Sequence, residues 1–397
     1  MGPDQGTKAA ALRGLLPRTV VVLGMVSFLN DAASEMITPL LPIFLTATLG
    51  AGPAVVGFVE GLAEATASVL KLVAGRLADR GVPAKSLVLG GYALSNAARP
   101  LLGFALAWSA VLLLRFLDRV GKGLRTAPRD ALIAAAAVPE QRGRAFGFHR
   151  SMDHAGAVVG PLAAFALLSA GVGLRDVFVA SVVPGLLVIA LLVFGLPGGQ
   201  RYLAPPRAPF EWKSLHSRLR AMIVAAGWLA LASVPEVFVV LWATHAGMSV
   251  TWVPLVWALA SLAKMLIAMP AGIISDRLGR GPVLLVGWTA RVVVLLLLAA
   301  MPQPPALLVW ALFCAYAATL AVTEPAERSL IGDHASEHER GTAYGLYHLA
   351  SGLLVLPGAV IFGGLWERFG SSVAFTVAAI VTGAAAAWML MLTRRTA

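Results

Sequence analysis

Stretches of about 20 apolar residues recur from one end of this chain to the other, and that recurrence limits what it can fold into. Wound as a helix, each is long enough to cross ~30 Å of hydrocarbon. Of 397 residues, 58% are hydrophobic and 13% are charged, where a soluble domain carries roughly 25% charged residues. Mean hydropathy is +0.81. The chain reads as an all-α polytopic membrane protein. Apolar runs set against polar punctuation place spans near 19–47, 53–75, 85–107, 108–132, 145–170 and 176–197. A second set lies near 221–244, 250–274, 281–301, 305–331, 341–365 and 371–392. The boundary at 107 rests on length: 85–132 is too long for one crossing, and "AWSA" at 107–110 offers the turn. The count is twelve transmembrane helices, with ends soft by several residues.

The net charge is +11, a surplus that could mark a nucleic-acid partner. Its placement says otherwise. With twelve spans, one set of loops holds Arg76, Arg80, Lys85, Arg142, Arg144, Arg277, Arg280 and Arg340. The central linker adds Arg201, Arg207, Lys213, Arg218 and Arg220, and the tail adds Arg394 and Arg395. The opposite loops hold Arg175 and Arg368, each beside an acid. That asymmetry predicts both termini and the linker in the cytoplasm, with the lipid bilayer rather than nucleic acid as the basic residues' partner.

The first 17 residues lack an apolar core and a small-residue cleavage pattern, so no cleaved signal peptide is expected and the first span is its own targeting signal. The single cysteine, Cys314, excludes an internal disulfide or a cysteine-built metal cluster. There is no G-x-x-x-x-G-K-[ST] phosphate loop and no H-E-x-x-H or Ser/His/Asp pattern, so the chain reads as neither an ATPase nor another enzyme, and no cofactor is expected. Residues 198–220 form the one long polar interval, Pro- and Gly-rich at first and then a possible surface helix in "FEWKSLHSRL". They separate a bundle at 1–197 from a bundle at 221–397.

These halves repeat each other. Gly75, Asp79 and Arg80 recur as Gly272, Asp276 and Arg277, each 197 residues later. Thr126, Pro128 and Asp130 recur at the same offset as Thr323, Pro325 and Glu327. One residue of slip then aligns Arg142, Gly143 and Gly147 with Arg340, Gly341 and Gly345. Two six-helix halves related by a parallel repeat are a transporter architecture.

Over essentially its whole length the chain resembles the major facilitator superfamily. "GRLADRG" at 75–81, with its echo "GIISDRLGR" at 272–280, is similar to the family's loop signature. "RFLDRVGKG" at 115–123 resembles its fourth-helix motif, and "GAVVGP" at 156–161 resembles the fifth-helix motif associated with proton-exchanging exporters. The resemblance implies two pseudo-symmetric six-helix bundles with a cavity lined by helices 1, 4, 7 and 10. It also implies a gating role for Gly75, Asp79, Arg80, Gly272, Asp276 and Arg277. Gly156 and Gly160 permit close helix approach, and Pro161 removes a backbone donor.

Ionisable groups within spans carry the functional signal, since each costs at least ~2.5–3.5 kcal/mol at mid-helix. "FLNDAASEM" at 28–36 puts Asp31 and Glu35 on one helical face. The second helix adds Glu60 and Glu64, and the third adds Arg99. Arg115, Asp118, Lys122 and Arg125 form one stripe on the fourth, which also carries Arg119. Arg150, Asp153 and His154 enter with the fifth. Under the family fold, Asp31 and Glu35 face Arg115 and Arg119, and a carboxylate that loses its cation in one conformation takes up a proton there. Asp31, Glu35, Arg115, Arg119 and Asp153 are therefore the proton-coupling candidates, although such pairs can equally serve to lock helices together. Asn30, Glu236, Lys264, Thr323 and Glu324 are substrate-contact candidates, with Glu236 singled out by the preceding Pro235. Trp228, Trp242, Trp252 and Trp257 could line an aromatic pocket or anchor at the interface.

The expectation is a secondary transporter in a cytoplasmic membrane, monomeric in function, whose partners are a small solute and protons. Export in exchange for protons leads. Uptake of a polar or anionic solute follows, and metal-chelate transport involving Met265 and Met269 or a non-transporting receptor trails.

Overall fold

The computed structural model describes residues 16–79, 82–137, 142–196, 212, 215–335 and 340–394. Its helices form twelve rods. In the first half these are α1 (Arg18–Glu35), α2 (Pro53–Asp79), α3 (Ala84–Leu101), α4 (Trp108–Ala136), α5 (Arg142–Ser169) and α6 (Leu174–Ala180 and Val182–Gly195). In the second they are α7 (Ser217–Ala232 and Glu236–His245), α8 (Val253–Leu278), α9 (Arg280–Ala300), α10 (Ala306–His334), α11 (Arg340–Phe369) and α12 (Ser371–Arg394). No strand occurs among the described residues.

Nine of the rods are long and apolar enough to cross a membrane on length and composition alone. The other three, α1, α3 and α4, carry Asp31 and Glu35, Arg99, and the Arg115–Arg125 stripe. Their polarity is the internal network described below.

The α3–α4 boundary falls where length requires it: α3 ends at Leu101, a short turn covers Leu102–Phe104, and α4 begins at Trp108. The expected seventh span is continuous in sequence terms but broken in the structure at 233–235. Pro235 offers no N–H and disfavours the helical conformation of Val234 before it. One residue, Gly279 at φ 90° and ψ 159°, turns α8 into α9, in a backbone region essentially closed to side-chain-bearing residues.

Two close approaches set the frame. Helix α2 runs antiparallel to α11: a Cβ on Gly57 would lie 2.2 Å from the Ala359 carbonyl, and one on Gly363 would lie 2.4 Å from that of Pro53. Helix α5 lies on α1 in the same way, where a Cβ on Gly156 would meet the Phe28 carbonyl at 2.4 Å and one on Gly160 that of Ala32 at 2.3 Å. The glycine pair of "GAVVGP" therefore presses α5 onto the "FLNDAASEM" turn of α1.

The apolar core is unevenly shared. One cluster takes residues from both halves: Met36–Leu45, Val56 and Phe178 of the first with Val237–Ala243, Val253–Ala260 and Val309–Ala317 of the second. All lie at the helix ends away from the linker. Nearer the linker each half has its own core, Val20–Val26 with Val88 and Leu192 in one, Leu219–Leu229 with Leu284 and Leu330 in the other. The halves are thus sealed together on the far side and separately packed on the linker side.

Gly160→Ala is expected to lower unfolding stability in detergent by about 1–3 kcal/mol through overpacking. Gly147→Ala on the same helix, where nothing lies within 4 Å, should leave it unchanged or raise it. Thermal unfolding of the two purified variants makes the comparison.

Candidate functional site

The α1 stripe is built as its spacing suggests. Ser27, Asn30, Asp31, Ser34 and Glu35 follow one another up one side of α1, with Asp31 and Glu35 half-buried. Because α5 is held so close, Asp153 reaches α1: the Ser27 hydroxyl donates to its Oδ1. His149 Nδ1 and Arg150 Nη1 approach its Oδ2 at 3.5 and 3.4 Å. Asp31 is bound by its neighbour, Asn30 Nδ2 donating to Oδ1 at 3.0 Å.

Arg115 does not pair with Asp31 or Glu35 as the family analogy implies. Its guanidinium grips Glu60 of α2 bidentately, Nε to Oε1 at 3.0 Å and Nη2 to Oε2 at 3.1 Å, and reaches Asp118 Oδ2 at 3.5 Å. Two parallel charge-assisted bonds fix geometry better than a single longer one, and Glu60 offers both oxygens face-on. Asp118 is shared further, with Arg99 Nε at 3.0 Å and Arg119 Nε at 3.9 Å. Arg119 Nε is otherwise without a hydrogen-bond partner. Arg99 Nη1 also donates to the Asn30 carbonyl, Asn30 Oδ1 and Asn96 Oδ1 at 3.1, 3.0 and 3.2 Å. Asn30 therefore links Arg99 to Asp31.

Glu35 makes a different bond: it accepts from Trp257 Nε1 of α8 at 2.9 Å. This contact joins the two halves just where the shared apolar seal begins. On α8, Lys264 lies two turns toward the linker from Trp257, its Nζ 5.8 Å from the indole centroid. Lys264 Nζ binds both oxygens of Glu236 at 3.0 and 2.8 Å. Glu236 opens the second segment of α7, beside Val237 of the seal.

Two further candidates go elsewhere. Thr323 is buried against α9 and accepts from Arg291 Nη2 at 2.5 Å. Glu324 is exposed and pairs with Arg328 at 2.5 Å. Of the tryptophans, Trp257 and Trp242 are buried, and Trp228 and Trp252 are exposed.

In the second loop signature Asp276 pairs with Arg280 rather than Arg277, which is exposed. Arg280 Nε continues to Asp333 at the end of α10 at 3.0 Å. The turn at Gly279 brings Arg280 back over Asp276, four residues earlier, and so favours it over the neighbouring Arg277. In the first signature Arg80 and Gly81 lie outside the described residues, as do the side chains of Gly75 and Asp79. Most of the linker also lies outside them. Ser27, Asn96 and Asp333 went unremarked in the sequence. Ser27 was findable, four residues before Asp31 on the same stripe; nothing local marks Asn96 or Asp333.

Rods sealed on one side around buried ion pairs define a multi-pass membrane transport protein. The Major Facilitator Superfamily model matches residues 23–268 and 237–397. An uncharacterised MFS-type transporter of Methanocaldococcus jannaschii is 32% identical over 361 residues, 89% of each chain. An uncharacterised protein of Mycobacterium tuberculosis is 30% identical over 368 residues, 88% of this chain and 87% of its own. The multidrug resistance protein MdtH of Aeromonas hydrophila is 32% identical over 127 residues, 32% of each chain. Among solved structures, the nucleoside transporter NupG superposes with a TM-score of 0.78 at 13% identity, covering 95% of this chain and 99% of that one. An inward-facing, unoccupied bacterial homologue of the human lysosomal transporter Spinster gives 0.76 at 16%, covering 95% and 96%. The chain belongs to the major facilitator superfamily, and it is a transporter, not an enzyme.

Arg115→Met alone should destabilise the protein by about 3–5 kcal/mol, because it leaves Glu60 buried without its cation. Arg115→Met with Glu60→Leu should recover most of that loss, as Asp118 keeps Arg99. Chemical unfolding of the single and double variants in detergent provides the check.

Proposed function

We propose that this transporter exports a small solute across the cytoplasmic membrane in exchange for protons, by alternating access of the bundles 1–197 and 221–397 about the linker 198–220. The observation that carries the coupling is a contrast among carboxylates. Glu60, Asp118, Asp153 and Glu236 each have a cationic or histidine nitrogen within 4 Å. Among the described residues, Asp31, Glu35 and Glu64 have none, and Asp31 and Glu35 are bonded instead to the neutral donors of Asn30 and Trp257. These are the acids of the network that can load and release a proton without leaving a guanidinium bare in a low-dielectric span. Glu35 stands where the halves meet and is bonded across that meeting, with Asp31 one turn below it on the same face. With the far side sealed, they exchange protons from the linker side; when the seal opens and the linker side closes, they exchange with the other. The positive loops support a cytoplasmic linker and termini. The partial likeness to MdtH, over a third of the chain, supports the export direction. The transporter acts as a monomer in this scheme.

A second reading, uptake of an anionic solute, draws on the surplus of cations on α4, where Arg119 Nε is buried without an acceptor. Proteoliposomes separate the two. Export by antiport requires solute to move against an imposed proton gradient, and symport requires it to move with it. Asp31→Asn is expected to cut gradient-driven flux at least tenfold while solute exchange without a gradient persists. Undiminished gradient-driven flux in that variant rules out Asp31 as the coupling acid.

A further inference from the structure

We infer that the Glu236–Lys264 pair, walled by Trp257, is the recognition site for a zwitterionic solute, one bearing an ammonium and a carboxylate on a short apolar body. This rests on the transporter reading above and names the class of its solute.

The pair sits where a solute entering from the linker side has to stop. Glu236 adjoins Val237, and Trp257 itself belongs to the apolar cluster that closes the far side. Neither charge is shut away: the side chains of Lys264 and Glu236 are 30% and 20% exposed, in contrast to Arg115 and Asp118 at 3% each. A solute can therefore reach this pair without unpacking the bundle, whereas Arg115 and Asp118 are closed off from it.

Charge balance then selects the ligand. An anion that takes Lys264 leaves Glu236 unpaired, and a cation that takes Glu236 leaves Lys264 unpaired; an unpaired charge in a span is strongly disfavoured. A neutral solute would have to leave the contacts at 2.8 and 3.0 Å intact, and so gains nothing from the charges. A zwitterion exchanges both partners together, its carboxylate to Lys264 and its ammonium to Glu236. Trp257 Nε1 is already committed to Glu35. The indole is buried, 6% exposed, backed by Phe313 with centroids 6.2 Å apart and overlain by Lys264 Nζ at 5.8 Å, so a solute that draws Lys264 aside uncovers the ring for its methylene or methyl groups. The same indole passes occupancy on: a solute against its ring bears on the hydrogen bond that holds Glu35 in the other half.

The test uses the purified full-length protein in nanodiscs at fixed pH with no gradient, so it does not depend on proton movement. Probes are L-leucine and 5-aminovalerate, with pentanoate and pentylamine as their single-charge counterparts. Thermal stabilisation and tryptophan fluorescence report binding. Leucine or 5-aminovalerate should bind saturably, and pentanoate and pentylamine should need at least tenfold higher concentration. The near-isosteric Glu236→Gln, and Lys264→Met, should each weaken zwitterion binding at least tenfold. The inference is overturned if no zwitterion binds, if either single-charge probe binds as tightly, or if Glu236→Gln leaves affinity unchanged. The probe comparison is made on the native chain, so misfolding of a variant cannot mask the answer. Zwitterion binding with no gradient-driven flux would retain this site and discard proton coupling; the converse would discard the site alone.

Discussion

A guanidinium placed in an apolar span has to be met by hydrogen-bond acceptors, and in the first half of this transporter carboxylates supply most of them. Arg99 and Arg115 converge on Asp118, Arg115 also grips Glu60, and Asn30 caps Arg99. Four helices, α1 to α4, are tied by these bonds. Close helix approach is their precondition: without glycine at 156 and 160, α5 could not lie against α1, and Asp153 could not reach Ser27. The polar interior and the small-residue ridges are two aspects of one solution to burying charge.

Demand and supply are not equal throughout. Glu60 of α2 and Asp118 of α4 are taken by arginines, and Asp31 and Glu35 of α1 are left with neutral donors. The second half solves the same problem more sparsely, with the half-buried pair of Glu236 and Lys264 and a buried Arg291 served by the Thr319 carbonyl and the Thr323 hydroxyl. The internal repeat therefore preserves the backbone plan while the chemistry diverges between copies.

The architecture was legible in the sequence because it is written in length and period. Span lengths, the turn near 107 and the repeated loop signatures depend on local composition, and the family membership follows from them. Pairing was not legible. Arg115 has acids available on α1, α2 and α4, and helical spacing cannot say which of them faces it; that depends on the rotation and tilt of whole helices. Arg280 displaced Arg277 for a similarly local reason, the single-residue turn at Gly279. Trp257 stood out as one of four tryptophans, but its bond to Glu35 joins residues 222 positions apart, a relation no window of sequence contains.

The two sides of the molecule are held by different forces. Away from the linker the halves share an apolar layer, whose cohesion weakens on cooling and is nearly indifferent to ionic strength. Toward the linker, the contact that bridges α8, α9 and α10 is the Asp276–Arg280–Asp333 chain, exposed enough for added salt to screen it. Temperature and salt are thus independent handles on the two faces. Cooling loosens the closure on the far side while leaving the linker-side charges alone, and rising ionic strength does the reverse.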